Sequence, residues 1–202
     1  MSPAHVVEPT YEAIKRRLMT GVWPAGARLE SARLADALGV SVTPVRDSLY
    51  RLTGEHMVDF THGEGFHVHR LTETELRDLL ELNLILLLAA LATRRGGIVD
   101  RASPAAEETD RIGALFLGVA SRSGNAELAA AIASLNDRLH LTRRLDRHLF
   151  ADAEAEGAAI EAALFEAGPP AIARNLILRY HERRAQEAAS YVRMLAERRA
   201  DR

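Results

Sequence analysis

The chain has 202 residues, no cysteine and a formal net charge of −2. This excludes disulfides and thiolate metal centres, and any contact with nucleic acid must come from where charges sit, not from their sum. Hydrophobic residues make up 48% and aromatics only 5%, enough for a sizeable core and weighted towards helix over sheet.

The first twenty residues carry no apolar run, so no secretory signal is expected. The greasiest stretch, Leu84 to Ala92, falls well short of the ~20 residues needed to span a bilayer. A cytoplasmic protein with no membrane partner is the expectation. Between Pro9 and Arg70 eight Lys or Arg face seven Asp or Glu. The basic residues are arginines apart from Lys15, which suits bidentate contacts.

A first helix is predicted from about Tyr11 to Thr20, capped by Thr10, with Tyr11, Ile14 and Leu18 on one face. Gly21 stands where a left-handed residue ends it. A turn over Val22–Gly26 leads to a short strand at Arg28-Leu29. A second helix follows, capped by Ser31, with Leu34, Ala35 and Leu38 inward and Gly39 closing it.

Thr43 can cap a third helix with Pro44 at its first position, or Ser41 can cap it slightly earlier. Val45, Leu49 and Leu52 face the core, leaving Arg46, Tyr50 and Arg51 on or near the outer side. Two short helices around a tight turn form a helix-turn-helix, whose second helix enters the major groove of DNA. Val58 and Phe60, then Phe66 and Val68, alternate with polar residues around the tip His62-Gly63-Glu64-Gly65. Such a pattern predicts a hairpin wing.

The run LADALGVSVTPVRDSLYRL followed by VDFTHGEGFHV resembles the winged helix-turn-helix of GntR-family bacterial regulators, whose usual pattern is close to LAxxLGVSRTPVRxALxRLxxxGLV. The resemblance covers about Tyr11 to Arg70. It implies a homodimer on a two-fold-symmetric, palindromic DNA operator. By position, Ser41, Thr43 and Arg46 would contact DNA from the recognition helix, and His62 and Gly63 would enter the minor groove. Arg33, Val42 and Arg51 complete the expected DNA-contacting set. Val42 stands where the family commonly has Arg, Ala32 where it has a further Arg (with Arg33 adjacent), and His56 where a Gly usually closes the helix.

From Thr72 the pattern is all-helical. Thr72 and Glu75 form a capping-box signature ahead of a long helix that Gly96-Gly97 stops. Further helices are predicted at Pro104–Ser121, Ala126–Phe150, Ala153–Ala167 and Pro170–Arg198. Breaks fall at Ser123-Gly124-Asn125 and Gly168-Pro169-Pro170, and Gly157 is a weak point within one helix. The expected fold class is mainly α: a winged helix-turn-helix with a small β-hairpin over residues 1–71, then an all-α bundle of about six helices over 72–202.

In position and length the second region resembles the FadR C-terminal ligand-binding domain. Many such domains hold a divalent metal with one Asp and three His. By spacing, those ligands fall here on Ile112, Phe116, Gly157 and Tyr180, with His181 one residue on. Ile, Phe and Gly supply no lone pairs, so no metal and no other cofactor are expected. Asn83 and Leu87 stand where the resemblance places Arg and Glu.

Asn83, Leu87, Phe116, Tyr180 and His181 therefore mark the expected effector pocket. Two readings stay open: an apolar pocket for a hydrophobic or aromatic effector, or a pocket filled by Phe116, Leu87 and their neighbours, leaving a scaffold that dimerises. His140, His148 and His181 form no recognisable ligand set and are expected at the surface or on helix faces. No nucleophile elbow, P-loop, Rossmann fingerprint or HExxH occurs, and Glu107-Glu108 falls in a solvated helix start, so no enzyme is expected.

Overall fold

The computed structural model describes residues 4–93, 104–165 and 170–197. The chain divides into two compact units, Met1–Leu71 with Leu195–Arg202, and Thr72–Met194.

The first unit contains α1 (Ala4–Met19), β1 (Arg28–Leu29), α2 (Ser31–Leu38), α3 (Val42–Gly54), β2 (Val58–Thr61) and β3 (Gly65–Val68). The strands form an antiparallel sheet in the order β1-β3-β2, pairing Leu29 with Phe66 and Val58 with Val68. Tyr11, Ile14 and Leu18 of α1 meet Val45, Leu49 and Leu52 of α3 in one core with Leu29, Leu34, Val58 and Phe66. The apolar rhythm of each helix thus becomes its buried face.

Two helix starts differ from the predicted ones, and a third follows the earlier of its two predicted caps. α1 runs through Pro9, and Thr10 is buried within it, its hydroxyl donating to the Val6 carbonyl at 2.6 Å. A proline removes only one backbone bond, and Glu8 in the extra turn is held by Arg51 at 2.8 Å. α2 is preceded by Glu30 rather than capped by Ser31, and the Glu30 carboxylate takes Arg33 Nε at 3.0 Å. α3 begins at Val42 behind Ser41, so Thr43 is not its cap, and Pro44 sits in the third position, buried. Gly39 (φ 66°) and His56 (φ 57°) take the left-handed conformations the sequence assigned to them.

The second unit contains α4 (Glu73–Ala92), α5 (Pro104–Arg122), α6 (Ala126–Arg143), α7 (Asp146–Leu149), α8 (Ala153–Phe165), α9 (Pro170–Gln186) and, as far as Met194, α10 (Ala188–Glu197). Thr72 caps α4 by accepting from Glu75 N at 3.2 Å, and Asn125 caps α6 through Glu127 N and Leu128 N. Two predicted helices are each broken in two. The Ala126–Phe150 stretch breaks at Arg144-Leu145, and the Pro170–Arg198 stretch breaks at Glu187. Asp146, just past the first break, is buried against Arg184 and Tyr191, so tertiary pairing overrides helix continuity.

Gly157 is not a weak point. It is buried inside α8, and a Cβ there would meet Ile112 Cδ1 at 3.4 Å, so it marks a close approach of α8 and α5. Leu87, Phe116, Ile132, Ile160, Ile177 and Tyr180 belong to the core of this unit. The predicted stops at Gly96-Gly97 and Gly168-Pro169, the helix ends at Ala167 and Arg198, and the side chains of Glu107 and Glu108 lie outside the described residues. Among the described residues no helix is long and apolar enough to cross a membrane.

Candidate functional site

The turn Gly39–Ser41 delivers α3 with one face already committed. Val45, Ser48, Leu49 and Leu52 are buried, and the Ser48 hydroxyl donates to the Pro44 carbonyl at 2.7 Å. The opposite face leaves Ser41, Val42, Thr43, Arg46, Asp47 and Tyr50 exposed. Val42, Arg46 and Tyr50 follow one another at four-residue spacing, so they form a single stripe along the helix. Ser41 makes no side-chain cap bond, so the first-turn amides of α3 remain available to an anion such as a phosphate. Among the described residues no ion pair or hydrogen bond holds the Arg46 guanidinium, so its donors face solvent.

The wing is fixed to this helix by aromatic rings. Tyr50 lies 4.9 Å from Phe66 and 5.3 Å from Phe60 between centroids, and Phe60 lies 4.8 Å from Phe66. Beyond them the chain turns through His62-Gly63-Glu64, with Thr61 paired to Gly65. Gly63 has φ 85°, a conformation that side-chain-bearing residues rarely adopt. His62 and Gly63 are both exposed at the tip. His69 Nδ1 lies 2.8 Å from Asp59 Oδ1 and ties the base of the hairpin.

The predicted contact residues divide in two. Ser41, Val42, Thr43, Arg46, His62 and Gly63 are exposed on α3 and the wing, and Arg33 is exposed on α2 beside Glu30. Arg51 is different. Its guanidinium lies 3.5 Å from the centroid of the Tyr11 ring and bonds Glu8 at 2.8 Å and Glu55 at 3.3 Å. Arg51, itself exposed, is thus engaged with α1 and joins it to α3.

In the second unit Asn83, Leu87, Phe116, Tyr180 and His181 are all buried. Phe116 stacks on His181 at 5.5 Å and meets Tyr180 edge-on at 5.4 Å. Burial lowers the His181 pKa to about 3, so the ring is neutral. Its Nδ1–H donates to the Ile177 carbonyl at 2.7 Å, which leaves Nε2 as an acceptor. The Asn83 amide, 2.9 Å from Nε2, must then present its NH2 group.

Around this pair stand charges that sequence reasoning missed. Arg184 bonds Asp146 at 2.7 Å and the Tyr180 carbonyl at 3.1 Å, and its charge lies 2.7 Å from a Glu156 carboxylate oxygen. Tyr191 donates to Asp146. Arg143 bonds Asp110 at 2.9 Å and Asn136 at 2.8 Å. The Asp110 carboxyl is held below its ordinary range: burial alone would raise it, but the Arg143 charge and the His140 and Gly113 hydrogen bonds outweigh that. Burial keeps the Asp146 carboxyl above its ordinary range despite Arg184. One signal was readable: Ala173, Ile177, Tyr180 and Arg184 share the buried face of α9, so the helical rhythm itself places Arg184 inside.

One expectation is corrected. His140 and His181 are buried instead of lying at the surface, and of the three histidines only His148 is exposed. The space left beside Asn83, Tyr180 and His181 is lined by Arg143, Asp146 and Arg184 as well as by leucines. It has room for about one water molecule. The positions where a metal-binding relative would carry ligands hold Phe116 and Tyr180 in the core, Ile112 packed against it, and Gly157 facing Ile112. Burial raises the Tyr180 phenol far above its ordinary pKa, so it stays protonated. These residues do not fit a bound metal ion.

Residues 7–68 match the family described as "Bacterial regulatory proteins, gntR family". The chain is 33% identical over 79 residues to the HTH-type transcriptional regulator McbR of Escherichia coli K12, which is 39% of this chain and 36% of McbR. It is 28% identical over 89 residues to the HTH-type transcriptional repressor GlaR of the same organism, 43% of this chain and 40% of GlaR. It is also 28% identical over 137 residues to the Nta operon transcriptional regulator of Aminobacter aminovorans, 60% of this chain and 65% of that protein. The chain thus spans roughly a third to two thirds of these relatives.

Among solved structures, a GntR transcriptional regulator from Rhodococcus sp. RHA1 superposes with TM-score 0.79 at 19% identity, covering 91% of this chain and 97% of the other. E. coli McbR superposes with TM-score 0.67 at 21% identity over the same shares. Both are likenesses of fold and include the helical unit. With the family match confined to residues 7–68, the N-terminal unit, whose α3 and wing have the geometry of a winged helix-turn-helix, is similar to the bacterial regulatory proteins of the gntR family.

Proposed function

We propose that this chain is a sequence-specific, DNA-binding transcription regulator of the GntR type, with a helical unit of the FadR/VanR kind, working in the cytoplasm where its DNA is. The observation that carries this reading is the unpaired Arg46 on the open face of α3, beside a wing whose His62-Gly63 tip is exposed. Arg46 has the reach and geometry for a guanine edge. Ser41, Thr43 and the first-turn amides suit phosphates, and the wing tip suits a minor groove. The chain acts as a homodimer, which places two copies of α3 on half-sites one helical turn, or a multiple of it, apart.

Selection of duplexes from a random-sequence pool by the full chain tests this. The expected result is a two-fold-symmetric motif whose binding falls steeply with salt. Failure to enrich any sequence overturns it.

For the helical unit the first reading is control of operator affinity by a small molecule that favours one arrangement of the dimer. Packing favours the second reading, a scaffold that dimerises without an effector: Leu87 and Phe116 are fully buried, and the space beside Asn83, Tyr180 and His181 is water-sized. A thermal-shift screen with aromatic and fatty acids separates the two. A selective ligand raises the melting temperature, and the filled bundle shows no such shift.

A further inference from the structure

Val42 is the first residue of α3 and is 41% exposed, whereas Val45, one turn on, is fully buried. It belongs neither to the core of its unit nor to the side chains packed against that core. Valine is a weak helix former, so helix propensity does not account for it either. What it offers is shape. A β-branched side chain in a helix is held in one rotamer, so its two methyl groups point in a fixed direction. It leads the stripe it shares with Arg46 and Tyr50, about 6 Å along the helix axis from Arg46. That separation corresponds to roughly two base steps of about 3.4 Å. An apolar side chain at such a position has one partner of its own kind on the major-groove floor, the methyl group on C5 of a pyrimidine.

We propose that Val42 is a base-reading residue that selects a 5-methylpyrimidine, thymine in unmodified DNA, one or two base pairs from a guanine read by Arg46. This rests on the DNA-binding reading above and specifies what α3 recognises. A guanidinium at this place would seek a guanine edge or a phosphate. Valine can do neither, and it gains by excluding water between its methyls and the thymine methyl.

The test uses the full chain and a duplex selected from a random-sequence pool. Each thymine next to or two base pairs from the conserved guanine is replaced in turn by deoxyuridine, which lacks only the methyl group. At one position this weakens wild-type binding about three- to tenfold. The same replacement changes Val42→Ala binding less than about twofold, and Val42→Arg no longer prefers thymine there. Cytosine at that position weakens wild-type binding as deoxyuridine does, and 5-methylcytosine recovers part of the loss. Tighter binding to 5-methylcytosine than to thymine overturns the assignment to thymine. Wild-type indifference to deoxyuridine at every such position overturns the proposal, as does equal sensitivity in Val42→Ala. If instead no motif is enriched, the DNA-binding reading itself fails; if Arg46→Ala binds the selected duplex unchanged, Arg46 reads no guanine there and the proposed spacing falls with it, so the two failures are told apart.

Discussion

The ring of Tyr50 on α3 stands edge-on to the ring of Phe60 in the wing, with centroids 5.3 Å apart and planes at 63°. Both side chains are partly exposed, at 44% and 40%, yet together with buried Phe66 they join the two elements expected to touch DNA. An edge-to-face pair contributes about 0.5–1.5 kcal/mol beyond the area it buries. A double-mutant cycle of Tyr50→Ala and Phe60→Ala, read by urea unfolding, is expected to give a coupling in that range. Each single variant should also weaken operator binding by loosening the wing. A coupling indistinguishable from zero would mean the rings are neighbours without consequence.

Arg46 and Arg51 lie five residues apart on the same helix and face different partners, so their alanine variants should fail differently. Arg46→Ala is expected to lose about 1–3 kcal/mol of operator affinity, the value of a bidentate base contact, with unfolding unchanged. Arg51→Ala loses a cation–π contact with Tyr11 and ion pairs with Glu8 and Glu55. Those groups are partly exposed, so the cost is about 1 kcal/mol of stability. Its effect on operator affinity should be small and the same for every sequence. Parallel binding and unfolding measurements decide, and a sequence-dependent loss in Arg51→Ala would return that side chain to the interface.

The winged domain was legible because its punctuation is local. Gly39 and His56 end helices in left-handed conformations, Gly63 and Gly65 shape the hairpin, and Val45, Leu49 and Leu52 keep helical time between them. Where the local signal misled, a contact distant in sequence had won. Thr10 reads as a cap, but Glu8 is drawn into helix by Arg51, 43 residues away. The break before α7 has no glycine or proline to announce it. It exists beside an Asp146–Arg184 pair separated by 38 residues. His181 reads both as a helix-face histidine and, through the family resemblance, as a pocket residue with Asn83; its own neighbours in sequence do not reveal the bond to Asn83, 98 residues distant. Buried polar pairs across helices leave no periodic trace, so the interior of the second unit was the least readable part of the chain.

Burial of neutral His181 makes that unit sensitive to acid. Its pKa is lowered from 6.5 to about 3, chiefly by burial. Unfolded chain therefore takes up a proton below pH 6.5 that the folded chain refuses until about pH 3. The stability is present above pH 6.5 and is lost as pH falls, at about 1.4 kcal/mol per unit. Between pH 7 and pH 5 the wild type should lose roughly 2 kcal/mol more than His181→Gln, which lacks this buried imidazole. Asp146, whose carboxyl is raised by burial, acts in the opposite sense nearer the carboxylate range, so pH 5 to 7 is the informative window. Parallel pH profiles for the two proteins would remove His181 as the cause.

Gly157 offers a test of how the bundle interior is filled. It lies inside α8, where glycine costs about 1 kcal/mol relative to alanine. A Cβ there would sit 3.4 Å from Ile112 Cδ1 and 3.9 Å from Ile112 Cγ1, ordinary van der Waals contact with a side chain that can shift. Gly157→Ala is therefore expected to stabilise the protein by about 0.5–1 kcal/mol. Gly157→His should do the reverse, because the imidazole must displace Ile112, and overpacking of that kind costs about 1–3 kcal/mol. It should gain nothing from zinc or nickel, since Ile112 and Phe116 supply no lone pairs and the Tyr180 phenol stays protonated. Unfolding midpoints of the three proteins with and without each metal decide the matter. A metal-dependent rise in Gly157→His would show that donors do converge on this place, and that the side chains packed around it can be turned outward at little cost.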